Sequence, residues 1–188
     1  MPKIIQILGI VGSLRKNSLN RALMDAAVEL APPEAKIEVA SLDGIPLFNQ
    51  DLENDPPQAV TWLKAKVRKA DAILFATPEY NYSIPGVLKN AIDWASRPYQ
   101  DNAWNGKPCG IMGVSTGMIG TARAQSHLRL SCVFLNMFPL NRPQVFISYA
   151  EEKFKNGRLE DQKSRDKVEE MVNSLIQWAP KFMPGHDV

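Results

Sequence analysis

Residues 71–77, Asp-Ala-Ile-Leu-Phe-Ala-Thr, restrict the fold of this chain more than any other stretch. Side chains on a strand alternate between its two faces, so consecutive apolar residues require cover on both. A central strand of a parallel sheet meets that condition, and a half-exposed antiparallel strand does not. Residues 4–11 and 107–114 carry the same kind of run, and residues 36–42 and 144–148 read as shorter strands. Between them lie stretches of helical spacing. One holds Leu23, Ala26, Ala27 and Leu30 and stops at Pro32-Pro33; the next follows Asp55-Pro56 with Val60, Leu63, Val67 and Ala70. The third holds Leu88, Ala91, Ile92 and Ala95 and stops at Ser96-Arg97-Pro98. A fourth starts at Thr121, as its cap, and runs to about Asn136. After a turn at Asn156-Gly157, a fifth runs from about Ser164 to Trp178 with Val168, Met171 and Leu175 on one stripe. Five strands alternating with five helices predict an α/β fold, an open parallel five-stranded sheet with helices on both faces.

At 188 residues and 45% hydrophobic content, the chain can bury one substantial core. The expectation is a single domain over residues 1–180 and a loose tail over 181–188, beyond Pro180. The net charge of +2 is spread along the chain without a Lys/Arg block, which argues against a nucleic-acid partner. No stretch approaches about 18 apolar residues, so no membrane-spanning helix is expected. Lys3, a short run broken by Gln6, then Arg15 and Lys16 lack the pattern of a signal peptide. Cys109 and Cys132 fall in a strand and a helix, without a CxxC and with only His127 and His186 as nitrogen ligands. Buried, reduced thiols in the cytoplasm, with no metal site, are the expectation.

Gly12, Ser13, Leu14, Arg15, Lys16, Asn17, Ser18, Leu19 and Asn20 join the first strand to the first helix. A helix beginning near Ser18 turns unpaired N–H groups and the positive end of its dipole toward this loop. Ser13, Ser18 and Asn20 add short hydrogen-bonding groups, and Arg15 adds a fork of donors matched to phosphate oxygens. The loop suits a phosphate monoester; the plainer alternative is a polar turn with a capping serine. Neither GxGxxG nor GxxxxGK[ST] can be aligned here. Two other elaborate loops follow the third and fourth strands. One contains Pro78, Glu79, Tyr80, Asn81 and Tyr82, the other Ser115, Thr116 and Gly117. In the flavodoxin-like strand order 2-1-3-4-5 a crevice opens between strands one and three, and all three loops meet there.

Gly12-Ser13-Leu14-Arg15, Pro78-Glu79-Tyr80-Asn81-Tyr82-Ser83 and Gly86-Val87-Leu88-Lys89-Asn90-Ala91-Ile92-Asp93-Trp94, in this order and spacing, resemble the NAD(P)H-dependent FMN reductase family. The bacterial quinone and chromate reductase branch is most similar, and the similarity runs from the first strand to about Pro143. The resemblance implies that Ser13 through Asn20 hold the FMN phosphate and that Glu79, Tyr80, Asn81 and Tyr82 border the isoalloxazine. It places Ser115, with Thr116 and Gly117, beneath the pyrimidine end. It implies NADPH or NADH as hydride donor, then a quinone, flavin, azo dye or metal oxyanion as small-molecule electron acceptor, and assembly as a homodimer or homotetramer. A flavin needs backbone donors where charge arrives on reduction, and a proline-punctuated loop presents backbone rigidly. Gly117 and Gly120 permit close approach, and the helix from Thr121 points its positive end toward the cofactor, which favours a negatively charged reduced flavin. Relatives usually show paired glycines where this chain has Gly120-Thr121. No side chain stands out as catalytic acid or nucleophile: the flavin carries the chemistry, and His127 reads as a structural or interface residue.

Leu128, Leu130, Cys132, Val133, Phe134 and Leu135 cover most of the fourth helix's circumference. Such a helix is buried on more than one side, against its own core or, together with the helix over residues 86–94, against a second copy. Two other function classes compete with a reductase. A one-electron flavodoxin-type carrier for a protein partner is typically acidic around its flavin, whereas this chain is slightly basic and offers Arg15 and Arg97 to a nucleotide phosphate. A phosphate-sensing module would reuse the cradle but leave residues 78–83 unexplained.

Overall fold

The computed structural model describes residues 3–183. Its sheet has the expected order. β1 (Ile5–Val11) lies between β2 (Ala35–Ala40) and β3 (Ala72–Ala76), β3 is followed by β4 (Pro108–Val114), and all pairs are parallel. β3 is paired on both edges and buried along its whole length, as its apolar run requires. Ile10 stands opposite Phe75 and Phe75 opposite Ile111, so β1, β3 and β4 end nearly level and their exit loops open along one edge.

The fifth position departs from the expected single strand over residues 144–148. β5 (Phe138–Pro139) pairs with the start of β4 and β6 (Val145–Ile147) with its end. Pro139 and Pro143 lack the N–H that an unbroken ladder would need between them.

One face of the sheet is covered by α1 (Leu19–Glu29) and α6 (Gln162–Trp178), with Leu23, Met24, Val168, Met171 and Leu175 against Leu74 and Met112. The other is covered by α2 (Gln58–Lys69), α3 (Gly86–Ala95) and α4 (Ala122–Phe134), where Leu63, Leu88, Ile92, Trp104 and Leu128 meet Phe75 and Ile111. Each fully buried side chain of this size contributes about 1.5–3 kcal/mol relative to exposure. The exit loops are therefore displayed on a stiff scaffold.

α6 begins two residues before the expected Ser164 because Asp161 caps it: its carboxylate accepts from the Ser164 N–H at 2.9 Å and hydroxyl at 2.6 Å. Between β6 and α6 the chain forms α5 (Ala150–Lys153) and a hairpin of β7 (Phe154–Lys155) with β8 (Arg158–Leu159). The turn at Asn156-Gly157, expected from sequence, has φ of 50° and 76°, the left-handed pair that a two-residue hairpin demands. The start of the expected loose tail is instead packed. Ala179–Phe182 forms a 3₁₀ turn, and the Phe182 ring stacks on Phe138 at 4.2 Å and meets Trp178 edge-on at 4.9 Å. Residues 184–188 lie outside the described residues.

Candidate functional site

The β1 exit loop and the start of α1 form one wall of a cleft that Ser13, Arg15, Ser18, Pro78, Glu79, Tyr80, Ser115 and Thr116 line together. Ser18 is the cap of α1, and its hydroxyl accepts the Arg21 N–H at 3.2 Å. One donor of the first turn is thereby used, and the others face the loop. Ser13 Oγ accepts the Arg15 N–H at 3.3 Å, which curls the loop back on itself. Leu14, Arg15, Lys16 and Asn17 are exposed, and among the described residues the Arg15 side chain makes no hydrogen bond or ion pair. Leu19 is half-buried. Asn20 has a further task that the sequence did not show. It is buried, and its amide donates to the Val114 carbonyl at 2.9 Å and accepts the Val114 N–H at 3.1 Å. It locks α1 to the end of β4, and it also stands among the residues that line the cleft.

The β3 exit loop is a strained tight turn. Tyr80 and Ser83 exchange backbone hydrogen bonds at 3.0 and 2.9 Å, while Asn81 and Tyr82 between them have φ of 50° and 67°. Asn tolerates this region, but a tyrosine there is an outlier of the kind that neighbouring contacts must hold in place. α4 supplies those contacts. The Arg123 guanidinium lies 4.0 Å from the Tyr82 ring centre, and His127 Nδ1 is 3.0 Å from Ser83 Oγ, which gives His127 its structural role. Glu79 completes the joint: its Oε2 accepts the N–H groups of Arg123 at 2.9 Å and Ala124 at 3.1 Å. This overturns the expected cap and adds a charge that the sequence did not show. Thr121 makes no side-chain cap, since Glu79 takes those donors, and the positive end of α4 already has a carboxylate against it.

The β4 exit loop rests on the chain that follows β6. The Ser115 N–H donates to Ile147, and the Ser115 and Gly117 carbonyls accept from Ala150 and Tyr149 at 3.2 and 3.3 Å. Thr116 and Gly117 are exposed, and a Cβ on Gly117 would meet only Ser115 Oγ, at 3.8 Å, so the surface above it is open. Gly120 has φ of 66°, and a Cβ there would come within 3.1 Å of the Phe146 backbone, which together favour glycine; Thr121 has φ of −127°, which any residue adopts. The departure from paired glycines is therefore free of backbone strain. The Thr121 hydroxyl accepts from Gln125 Nε2 at 3.1 Å and fills the space left by Gly113, where a Cβ would overlap it and stand 2.5 Å from the Thr77 carbonyl oxygen.

With three exit loops on one cleft, the comparison with known proteins is decisive. The sequence model of the NADPH-dependent FMN reductase family matches residues 5–152. The chain belongs to that family. An NAD(P)H-dependent FMN reductase of Pseudomonas aeruginosa is 51% identical over 180 residues, spanning 95% of this chain and 97% of the relative. A 2-hydroxy-1,4-benzoquinone reductase of a Burkholderia species is 41% identical over 175 residues, 93% and 96% of the two chains. Among solved structures, the NAD(P)H:(acceptor) oxidoreductase FerB of Paracoccus denitrificans superposes with a TM-score of 0.88 at 37% identity, covering 95% of this chain and 99% of that one. An azoreductase of Bacillus anthracis, at 16% identity and a TM-score of 0.57, shares the fold. This FMN reductase family member is thus an α/β flavoenzyme-type oxidoreductase.

The residues present fit FMN on their own chemistry. A helix start with open donors and an arginine without a partner among the described residues suit a phosphate, and the open face at Gly117 suits a flat ring. Tyr80, Tyr82, Leu14, Met118 and Tyr149 leave large apolar surface exposed on these loops, a surface that a planar ligand would cover. Tyr149 was missed from sequence. It has φ of 52° and stands against Gly117, and its place just past the last sheet strand, at the same edge as the other loops, was the signal available.

Proposed function

We propose that this protein binds FMN in the cleft and catalyses two-electron transfer from NADPH or NADH to a quinone- or flavin-like acceptor. The convergence of the three loops on the open start of α1, with Arg15 beside it, carries this reading. Ser13 and the backbone of residues 14–20, with Arg15, hold the phosphate, and the Asn20 side chain also fixes α1 in place. Residues 78–82 would hold one side of the ring, and Ser115, Thr116 and Gly117 would hold another. When bound, FMN supplies reversible two-electron storage, accepting hydride from the nicotinamide and releasing electrons to the acceptor. Glu79 offsets the positive end of α4 and Arg123 adds a cation beside it, so these two charges tune the field that the ring experiences. Relatives named as quinone reductases and the exposed Tyr80 and Tyr82 support a flat aromatic acceptor. The purified protein should be yellow with one FMN per chain, and one equivalent of NADPH should bleach it without oxygen. A colourless protein unable to take up FMN overturns the proposal.

The same reading includes a homodimer, or a homotetramer built from it, in the cytoplasm. Among the described residues no helix is long and apolar enough to cross a membrane. α4 divides its apolar residues: Leu128, Cys132 and Leu135 are buried in the protomer, while Leu130, Val133 and Phe134 are 71%, 75% and 74% exposed. α3, expected to share such an interface, keeps Leu88, Ile92 and Trp94 for its own core. The exposed triplet therefore stands as the contact with a second copy. Replacing Leu130 or Phe134 with Glu should convert a dimer to a monomer in light scattering, and a wild type that is monomeric at micromolar concentration removes this part of the proposal.

A further inference from the structure

Cys109 and Cys132 are both completely buried, one on β4 and one on α4, and their sulfurs are 3.9 Å apart. That separation is a thiol hydrogen bond; a disulfide needs about 2.05 Å. Both side chains lie in the core between the sheet and α4, so closing the gap requires a shift of one helix against one strand rather than a refolding. One turn of α4 before Cys132, Arg129 holds Nη2 buried without a hydrogen-bond partner among the described residues. Arg129 is half-buried as a residue, yet this one N–H-bearing atom lacks an acceptor, and a thiolate formed nearby would be favoured by its charge.

We propose that Cys109 and Cys132 are a modification site, a dithiol that hydrogen peroxide oxidises reversibly to a disulfide joining β4 to α4. The Cys132 thiolate attacks one peroxide oxygen, an S–O bond forms as the O–O bond breaks, and the departing hydroxide takes the thiol proton as water. The Cys109 sulfur then attacks the Cys132 sulfur; the S–S bond forms, the S–O bond breaks, and a second water leaves with the Cys109 proton. Two thiols lose two electrons and the peroxide gains them. The order of attack follows from the environment: the hydrogen bond with Cys109 and the Arg129 charge lower the Cys132 thiol, while the same hydrogen bond and burial raise Cys109 well above the usual range. Burial also selects the oxidant: a tripeptide disulfide is excluded, and only a small neutral molecule can reach the pair, during local opening of α4. Cys109 is the second residue of β4 and the cleft lies beyond Val114, roughly 16 Å away at about 3.3 Å per residue. The thiols therefore stand apart from the proposed flavin chemistry.

The test treats the purified protein, with whatever flavin it carries, with excess hydrogen peroxide or with oxidised glutathione, then unfolds it in N-ethylmaleimide for mass spectrometry. The expected result with peroxide is a chain two hydrogens lighter, unlabelled by maleimide, with a linked peptide pair containing Cys109 and Cys132, and recovery of two labels after dithiothreitol. The oxidised chain should also unfold at higher urea concentration. Cys109→Ser and Cys132→Ser should each abolish the two-hydrogen loss, and the wild-type peptide pair decides the matter should either variant fail to fold. Two labelled thiols after peroxide, a sulfinic acid on one cysteine, or a glutathione adduct overturns the proposal.

Discussion

Two helices begin at the cleft, and their first turns are completed in opposite ways. α1 is capped within its own sequence by Ser18, which takes a single N–H, and the side chain of Arg15 stands beside it without a partner among the described residues. α4 receives a carboxylate from another loop, with Glu79 closing two of its first N–H groups. Each helix start carries roughly half a positive charge, so either could in principle attract an anion. Among the described residues α1 keeps two such N–H groups without a partner, those of Leu19 and Asn20, and has no carboxylate against it, whereas α4 keeps one, that of Ala122, beside the Glu79 carboxylate. The difference turns α4's start into a joint that holds the strained turn at Asn81 and Tyr82, and leaves α1's start as the place for a phosphate.

Substitutions at the two helix starts test this division. The largest effect is expected at Gly113, beneath the start of α4, where Gly113→Ala drives a methyl into Thr121 Oγ1 and toward the Thr77 carbonyl. Urea unfolding should show a loss of about 3 kcal/mol, at the upper end of overpacking costs. Adding Thr121→Gly should restore only part, because the backbone contact remains; full recovery would mean that Thr121 alone sets the wall. Arg15→Ala should weaken FMN binding by about 1.5–3 kcal/mol, the range of a charge-assisted hydrogen bond, with unfolding unchanged. An unaltered FMN dissociation constant would turn Arg15 toward the nicotinamide nucleotide instead.

Glu79→Ala should cost about 1–2 kcal/mol of stability as a lost cap. It should also create phosphate affinity at α4 that the wild type lacks, visible as chemical-shift changes at Arg123 and Ala124 on titration with inorganic phosphate. Glu79→Gln keeps an acceptor oxygen and should lie between. Equal stability in all three proteins would remove Glu79 from the joint. The smallest effect concerns the start of α6, far from the cleft. Hydrogen bonds from the Ser164 hydroxyl and N–H hold the Asp161 carboxyl below its ordinary range. Its contribution is therefore complete above the unfolded pKa of about 3.9 and is lost as pH falls through the lower folded value. Asp161→Asn should flatten that acid segment of the stability profile, and an unchanged profile would remove the cap's share in acid unfolding.

The cleft was only partly legible in the sequence. Its three loops could be placed because each follows an apolar strand run, and Ser18 could be named as a cap because capping by serine is local. Asn20 could not be separated from its neighbours, because its partner, Val114, lies 94 residues away. The apolar residues of α4 likewise gave no division between inward Leu128 and outward Phe134, since every side of that half-helix is apolar and only the position of the sheet selects one. The split fifth strand was obscured because prolines forbid hydrogen bonds at single positions without saying where pairing resumes.

By itself the sequence determined the sheet, its central strand and the edge on which the site lies. Burial on both faces is written in consecutive residues of β3, and the period of each helix marks the side it hides. Tertiary structure alone decided which helix start remains open. Glu79 and the Arg123 N–H it accepts are 44 residues apart and meet only because β3 and β4 are neighbours in the sheet. The same is true of the two thiols, 23 residues apart in the chain and 3.9 Å apart in the core. Local periodicity encodes elements and their buried faces, whereas a contact between two exit loops depends on the strand order that brings them together.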